Sequence, residues 1–349
     1  MRIREATKED KLMWDSFVET HGGSFYYYFD YRYVSDNVHQ IIAEVHEDEW
    51  VGICRFDREE KRFYSTLRLN GFLFRKEMSQ GERYQATREF LVYIEKHYSE
   101  RCSTFIVQES SLDFAGNDPN PALLDHGFRF RNYGKQSVPC SHMLPLRAPF
   151  EEKIWKEMWS QKLRKDLNKV ANSGIKVIQD IDFKYLDIYL DMYAANYKRH
   201  KLSPPNRDRK INEINLFRDK IKFFVAIYGE QPIMILKCNY SNSTCYLSGV
   251  GSYTKGTDDA NKFCYKVAIE DACNNGYQFA DFGDSYTEGL ANLKDRFKFI
   301  RIPIRMHEKR YSVLRAFFEL TPSLIKSFLR DQTYVMKNSK VIYDRIARW

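Results

Sequence analysis

Five residues that can do chemistry crowd into one segment, ADFGDSYTEGLANLKDRFKF (280–299): Asp281, Asp284, Lys294, Arg296 and Lys298. The segment reads as a short strand, Tyr277–Phe282, stopped at Gly283-Asp284, then a glycine-containing turn and a short basic helix. A strand that ends in Asp281 and Asp284 places carboxylates at the carboxyl edge of a sheet, where open α/β sheets bind ligands. A lysine and an arginine then return over the same edge. Such groups suit the formation of an amide. That reaction needs a positioned amine, a group to take its proton, and a cation or N–H donor for the tetrahedral oxyanion. Asp281 and Asp284 suit the first task, and capping of the following turn is their other reading. Lys294 on its own also reads as a solvated lysine on a short amphipathic helix.

The elements that must position this segment follow from periodicity and turn signals. Arg147-Ala-Pro-Phe150 is the linker candidate. Beyond it the expected elements are a long helix Glu151–Ser173, strand Ile175–Gln179, helices Phe183–His200 and Arg209–Asp219, and strand Lys222–Tyr228. A Gly229–Pro232 turn leads to strand Ile233–Tyr240, and Ser241–Ser243 to strand Thr244–Val250. Helix Asn261–Asn274, strand Tyr277–Phe282, a short helix near 288–296 and strand Ile300–His307 complete the series. The order β-α-α-β-β-β-α-β-α-β is that of the GNAT acyltransferase fold, with the three middle strands as a meander. In the first half, a helix follows Thr7, a hairpin spans Gln40–Val45 and Trp50–Phe56, and a helix spans Glu82–Tyr98. A strand Ser103–Gln108, a short helix Pro121–Gly127 and strands at Phe128–Phe130 and Ser141–Leu146 follow. A last helix starts at Thr321-Pro322.

A-D-F-G-D followed by G-L-A-N-L-K-D-R-F resembles the FemAB/FemX group of aminoacyl transferases and related BioF-type acetyltransferase-like proteins. In those families an aspartate-glycine strand end precedes a G-l-x-x-F-K-x-x-F motif. Leu293 replaces the usual Phe before the lysine. L-L-D-H-G-F-R-F (123–130) resembles an element of the same superfamily, and Q-K-L-R-K-D-L-N-K-V-A-N-S-G (161–174) resembles the basic helix that opens the second domain. The resemblance implies an α/β (α+β) fold of tandem GNAT-like domains with mixed, mainly antiparallel central sheets and a C-terminal helix. The domains would be 1–147 and 151–310, with an extension at 311–349. It also makes Lys294 the oxyanion or phosphate contact, with Arg296 and Lys298 as flanking phosphate contacts. Arg164 and Lys165 would face an acidic substrate or tRNA, with a solvated polar face as their other reading. Tyr253 and Lys262 face the same expected cleft. The implied donor is aminoacyl-tRNA or acyl-CoA. The implied partners are tRNA or an anionic, nucleotide-linked acceptor. No metal, redox cofactor or covalent enzyme intermediate is needed.

A GNAT domain that uses acetyl-CoA carries R/Q-x-x-G-x-G/A, whose backbone N–H groups cradle the pyrophosphate at a helix N-terminus. The equivalent segment here is SGVGSYTKGTDDANK (248–262). Gly251 and Gly256 are too far apart for that pattern, and Asp258-Asp259 would repel phosphate. Weak or absent acetyl-CoA binding is therefore expected.

Composition bounds the rest. The chain has 349 residues, 43% hydrophobic and 29% charged, with a net charge of +8 that permits an anionic partner. The seven cysteines form no C-x-x-C and read as free thiols of a reducing cytosol. The opening MRIREATKEDK is charged throughout, and no apolar run approaches the ~20 residues that span a bilayer. A cytoplasmic protein is expected. H-E-x-x-H, G-x-S-x-G and Walker A patterns do not occur. His200 and His307 read as surface or satisfied core residues. Two other functions compete: an acyl-CoA N-acyltransferase acting on a sugar or cell-surface precursor, and a non-catalytic binding protein of the same fold.

Overall fold

The first half builds the edge strand β1 (Arg2–Glu5) and, from mostly buried runs, β2 (Val38–His46), β3 (Glu49–Glu60) and β4 (Ser65–Phe74), with helix α1 (Lys11–His21) after β1. Two short 3-10 turns, Phe25–Tyr27 and Phe29–Tyr33, connect α1 to β2. Then come α2 (Gln80–Tyr98), β5 (Cys102–Gln108), α3 (Pro121–Asp125), β6 (Arg129–Phe130) and β7 (Cys140–Pro145). The second half holds α4 (Gln161–Ala171), β8 (Ile175–Asp180), α5 (Leu186–Arg199), α6 (Arg207–Leu216), β9 (Ile221–Tyr228), β10 (Gln231–Ser241) and β11 (Thr244–Gly251). It ends with α7 (Asp258–Asn274), β12 (Phe279–Ser285), α8 (Glu288–Asp295), β13 (Ile300–Pro303) and β14 (Met306–Arg310). This computed structural model describes residues 1–34, 37–46, 48–60, 65–100, 102–109, 121–130, 140–252, 258–285 and 288–311. The expected C-terminal helix lies outside the described residues, and so does Tyr253.

The strands form two seven-stranded sheets, ordered β1-β2-β3-β4-β5-β14-β6 and β13-β7-β12-β11-β10-β9-β8. Each has one parallel pair, β4–β5 and β11–β12, and is otherwise antiparallel. The expected meander of β9, β10 and β11 is present.

The sheets exchange strands. β7, from before the linker, pairs with β12 and β13 in the second sheet. β14 returns to the first sheet between β5 and β6. A division of the chain at Arg147 therefore does not divide the sheets. The single strand expected at Ile300–His307 is in fact the crossing, β13 in one sheet and β14 in the other.

The long helix expected over Glu151–Ser173 is interrupted. Glu151–Lys156 makes a π-type turn, and Ser160 is extended (φ −65°, ψ 150°), with its Oγ accepting 3.2 Å from Leu163 N–H. That N-cap starts α4 afresh. The break lets Trp159 turn inward, where its Nε1 donates to the Phe297 carbonyl at 3.0 Å.

Three apolar clusters hold the elements. One lies between the second sheet and α4 and α7, one between the first sheet and α2, and one between the halves. β10 shows how one strand serves two of them. Leu236, Cys238 and Tyr240 belong to the cluster with α7, whereas Lys237, Asn239 and Ser241 take the alternate face. No helix among the described residues is long and apolar enough to cross a membrane.

Candidate functional site

β11 and β12 pair over only Thr244↔Phe279, Cys245↔Ala280 and Tyr246↔Asp281. On its other side β12 slips register against β7 between Asp281 and Asp284. Gly283 sits in this bulge at φ +68°, a left-handed conformation that a side chain would strain. Its N–H donates back to Asp281 Oδ1 at 2.6 Å. Burial, reinforced by Asp284, pushes the Asp281 carboxyl up to about 6, against the Gly283 N–H and Lys294, which pull it down.

A cavity of about 490 Å³ opens where that pairing stops, between the two halves. The second half contributes Tyr246, Ser248, Asp281, Gly283 and Asp284, and the exchanged strand β7 adds Ser141 beside them. The first half contributes Tyr26, Tyr27, Tyr31, Arg55, Asp57 and Glu109. Arg55 is the main strut of that wall. Its Nη2 donates to Asp57 at 2.9 Å, its Nη1 to the Tyr26 carbonyl at 3.2 Å, and its guanidinium lies 4.3 Å over the Tyr31 ring. Glu109 accepts from Nε2 of His307 at 3.1 Å. A carboxylate can only accept, so that nitrogen is the donor. His307, expected as a surface or satisfied core residue, is fully buried at 0% exposure. It reaches Glu109 from the exchanged strand β14.

Past Arg55 lies a second pocket of about 330 Å³, sharing Tyr31, Arg55 and Asp57 with the first. Glu213 lines it, and it accepts from the buried Lys237 and from Lys210 at 2.7 Å. Burial raises the Glu213 carboxyl, but the two lysines outweigh it and hold the group below the usual carboxylate range.

The residues expected from sequence divide sharply. Asp281 and Asp284 line the cavity. Lys294, expected as the oxyanion or phosphate contact or else as a solvated lysine, is 2% exposed and does not line the cavity. Residues on one face of a short helix pack inward, and Lys294 shares that face with Ala291. Its Nζ donates to the carbonyls of Gly283 (2.8 Å) and Asp284 (2.9 Å) and lies 5.1 Å from the Phe282 ring. Burial pushes its ammonium down to about 8, with Asp284 and Asp281 opposing. Arg296 and Lys298 are exposed and away from the cavity lining. Arg164 donates to the carbonyls of Trp155 (3.3 Å) and Lys156 (3.0 Å), closing the interrupted helix, and Lys165 is exposed. Lys262 pairs with Asp259 at 2.9 Å. Sequence reading did not find Tyr26, Tyr31, Arg55 or Glu109. The run FYYYFDYRY (25–33) was the available signal, an aromatic density beyond what a connector needs.

No protein-family model matches the chain, and no curated protein matches it in sequence. Its likeness to solved structures is one of fold. It defines a class: the chain is a tandem GNAT-fold protein. Within that class it shares the fold of FemX, whose crystal structure superposes with a TM-score of 0.71 at 12% identity, over 92% of this chain and 100% of that one. The structure of L-PGS from Bacillus licheniformis matches with a TM-score of 0.57 at 13% identity, over 92% and 98%. A tandem GNAT protein from the clavulanic acid biosynthesis pathway matches at 0.55 and 8% identity, over 88% and 98%.

Proposed function

We propose that this chain transfers an acyl group, aminoacyl in preference to acetyl, to an amine held in the cavity between the sheets. One observation carries the reading. Asp281 stands at the bulged end of β12, facing the cavity, with its carboxyl near 6. Such a group is ionised at neutral pH yet basic enough to take a proton. The amine nitrogen attacks the donor's ester carbonyl, and the carbonyl electron pair moves onto oxygen. The nitrogen's proton passes to Asp281. Collapse restores the carbonyl and breaks the bond to the donor's ribose oxygen, which leaves with that proton. Lys294 serves as a positioning residue, because it ties down the two carbonyls of the bulge that aims Asp281.

The donor preference rests on the start of α7. Asp259 lies in its first turn, where a CoA pyrophosphate would need free N–H groups and positive potential. The net charge of +8 suits tRNA and an anionic, nucleotide-linked acceptor.

The test is label transfer by the purified chain. Radiolabelled aminoacyl-tRNA and, separately, radiolabelled acetyl-CoA are offered with 1-aminopentane, glucosamine and a lysine-containing peptide as acceptors. Amide-bound label from aminoacyl-tRNA, lost in Asp281→Asn, is the expected result. Label from acetyl-CoA alone would replace the donor. No label from either would overturn the reading.

A further inference from the structure

The segment that carries Tyr26 is irregular, yet its carbonyls are held one after another. Arg55 donates to Tyr26 O, Trp14 Nε1 to Tyr27 O, and Gln40 Nε2 to Tyr28 O and Phe29 O. Just before it, the Gly23 carbonyl accepts from Ser241 Oγ at 3.3 Å, which pins the segment to the second half. The rings of Phe25 and Tyr31 pack on Phe217 of the second half at 4.8 and 6.1 Å. A wall fixed in this way presents its side chains without reorganisation.

Two tyrosines on this wall keep hydroxyls with no hydrogen bond to any described residue, Tyr26 and Tyr31; Tyr27 gives its own to Asn70 O at 2.8 Å. Tyr26 is the one whose ring packs on β11, the parallel partner of the bulged strand. Its ring meets Tyr246 at 6.1 Å, and Tyr246 is the register partner of Asp281. Tyr31 instead lies under Arg55 and also lines the second pocket. Burial, then Tyr31, Glu213 and Asp281, keeps the Tyr26 phenol protonated well above its usual range. It is a donor at neutral pH and takes no proton. Among the described residues, Lys294 is engaged on two carbonyls and Arg55 on Asp57 and Tyr26 O.

We infer that Tyr26 is a catalytic residue of the acyl transfer proposed above, its hydroxyl donating the hydrogen bond to the oxygen of the tetrahedral intermediate across the cavity from Asp281. The inference rests on that reading. No proton leaves Tyr26: the O–H stays intact while the carbonyl electron pair sits on the oxygen, and the bond relaxes when the pair returns.

Tyr26→Phe and, as a control, Tyr228→Phe, at an exposed tyrosine of β9 away from both pockets, are compared with the wild-type chain in the label-transfer assay, with 1-aminopentane as acceptor. Loss of one such donor lowers turnover by about a hundredfold to a thousandfold. Tyr26→Phe is expected to show that loss in kcat with KM within about threefold, and Tyr228→Phe to keep wild-type kcat. If Tyr26→Phe does not fold, a fluorinated tyrosine at position 26 replaces it. Its more acidic phenol should bring the alkaline loss of rate to lower pH. Wild-type kcat in Tyr26→Phe, or an unchanged pH profile with the fluorinated ring, overturns the inference and leaves acyl transfer standing. Absence of transfer by the wild-type chain from either donor overturns both.

Discussion

The Lys294 ammonium donates 2.9 Å to the main-chain carbonyl of Asp284, and 2.8 Å to that of Gly283 next to it. One cation thus holds both carbonyls of a strand end whose preceding carboxylate, Asp281, faces the cavity. The substrate side of the bulge is left to Asp281, Asp284 and the aromatic wall opposite.

Lys294→Met should be felt in stability as well as in rate. A solvated lysine would be replaced at no cost. A buried one leaves two carbonyls without their donor, at about 1–3 kcal/mol. Urea unfolding is expected to shift by that order, with a fall in label transfer as the bulge relaxes. An unchanged unfolding midpoint would contradict the assignment.

Asp281→Asn should stabilise the protein, and only at the higher pH. The folded-state carboxyl lies near 6, above its usual value of 3.8, so the folded protein binds this proton more tightly than the unfolded chain does. Wild-type stability from this group is therefore full below the unfolded value and falls as pH rises through about 6. A shift of this size corresponds to roughly 3 kcal/mol. The variant is expected to exceed wild type by up to that order at pH 8 and to match it near pH 3.5. In transfer, the wild-type rate should rise through about pH 6, and the variant should lack that limb.

Glu213→Gln should damage the second pocket severely. Lys237 and Glu213 are both 3% exposed, so the change leaves a buried ammonium without its counter-ion. Breaking one side of such a pair costs about 3–5 kcal/mol. The double change Glu213→Leu with Lys237→Met should recover most of it, as measured by urea denaturation. A single variant as stable as wild type would count against the pair's role.

Neither half should fold alone. Residues 1–150 lack β14, which belongs between β5 and β6, and residues 151–349 lack β7, which belongs between β12 and β13. Each fragment then exposes unpaired strand edges in the middle of its sheet. Circular dichroism and amide exchange should show poorly ordered fragments separately and recovery when they are produced together. Cooperative unfolding of either fragment by itself would refute this.

Local pattern made much of the second half legible. The apolar runs separated by Gly229–Pro232 and Ser241–Ser243 predict β9, β10 and β11, and the structure pairs them so. The carboxylates Asp281 and Asp284 are legible because Gly283 marks an irregularity between them, although the strand expected to stop at Gly283-Asp284 runs on through the bulge to Ser285. In the first half, no element is expected from the sequence over β4, which contains the turn-forming pair Asn70-Gly71. The structure carries the chain through it as a strand, with Gly71 at φ +84°.

By itself, then, the sequence determined the class of fold, the meander of β9, β10 and β11 and two carboxylates of the cavity, Asp281 and Asp284. These depend on contacts between near neighbours in the chain: hydrophobic period, turn chemistry, caps. Only the tertiary structure decided the opposite wall, where Tyr26, Arg55 and Glu109, far from Asp281 along the chain, line the same cavity. It also decided the strand exchange and the burial of Lys294. Helix periodicity marks which residues share a face, but not whether that face meets water or the carbonyls of a bulged strand. For Lys294 that difference separates a cation open to the cavity from one held on the carbonyls of Gly283 and Asp284.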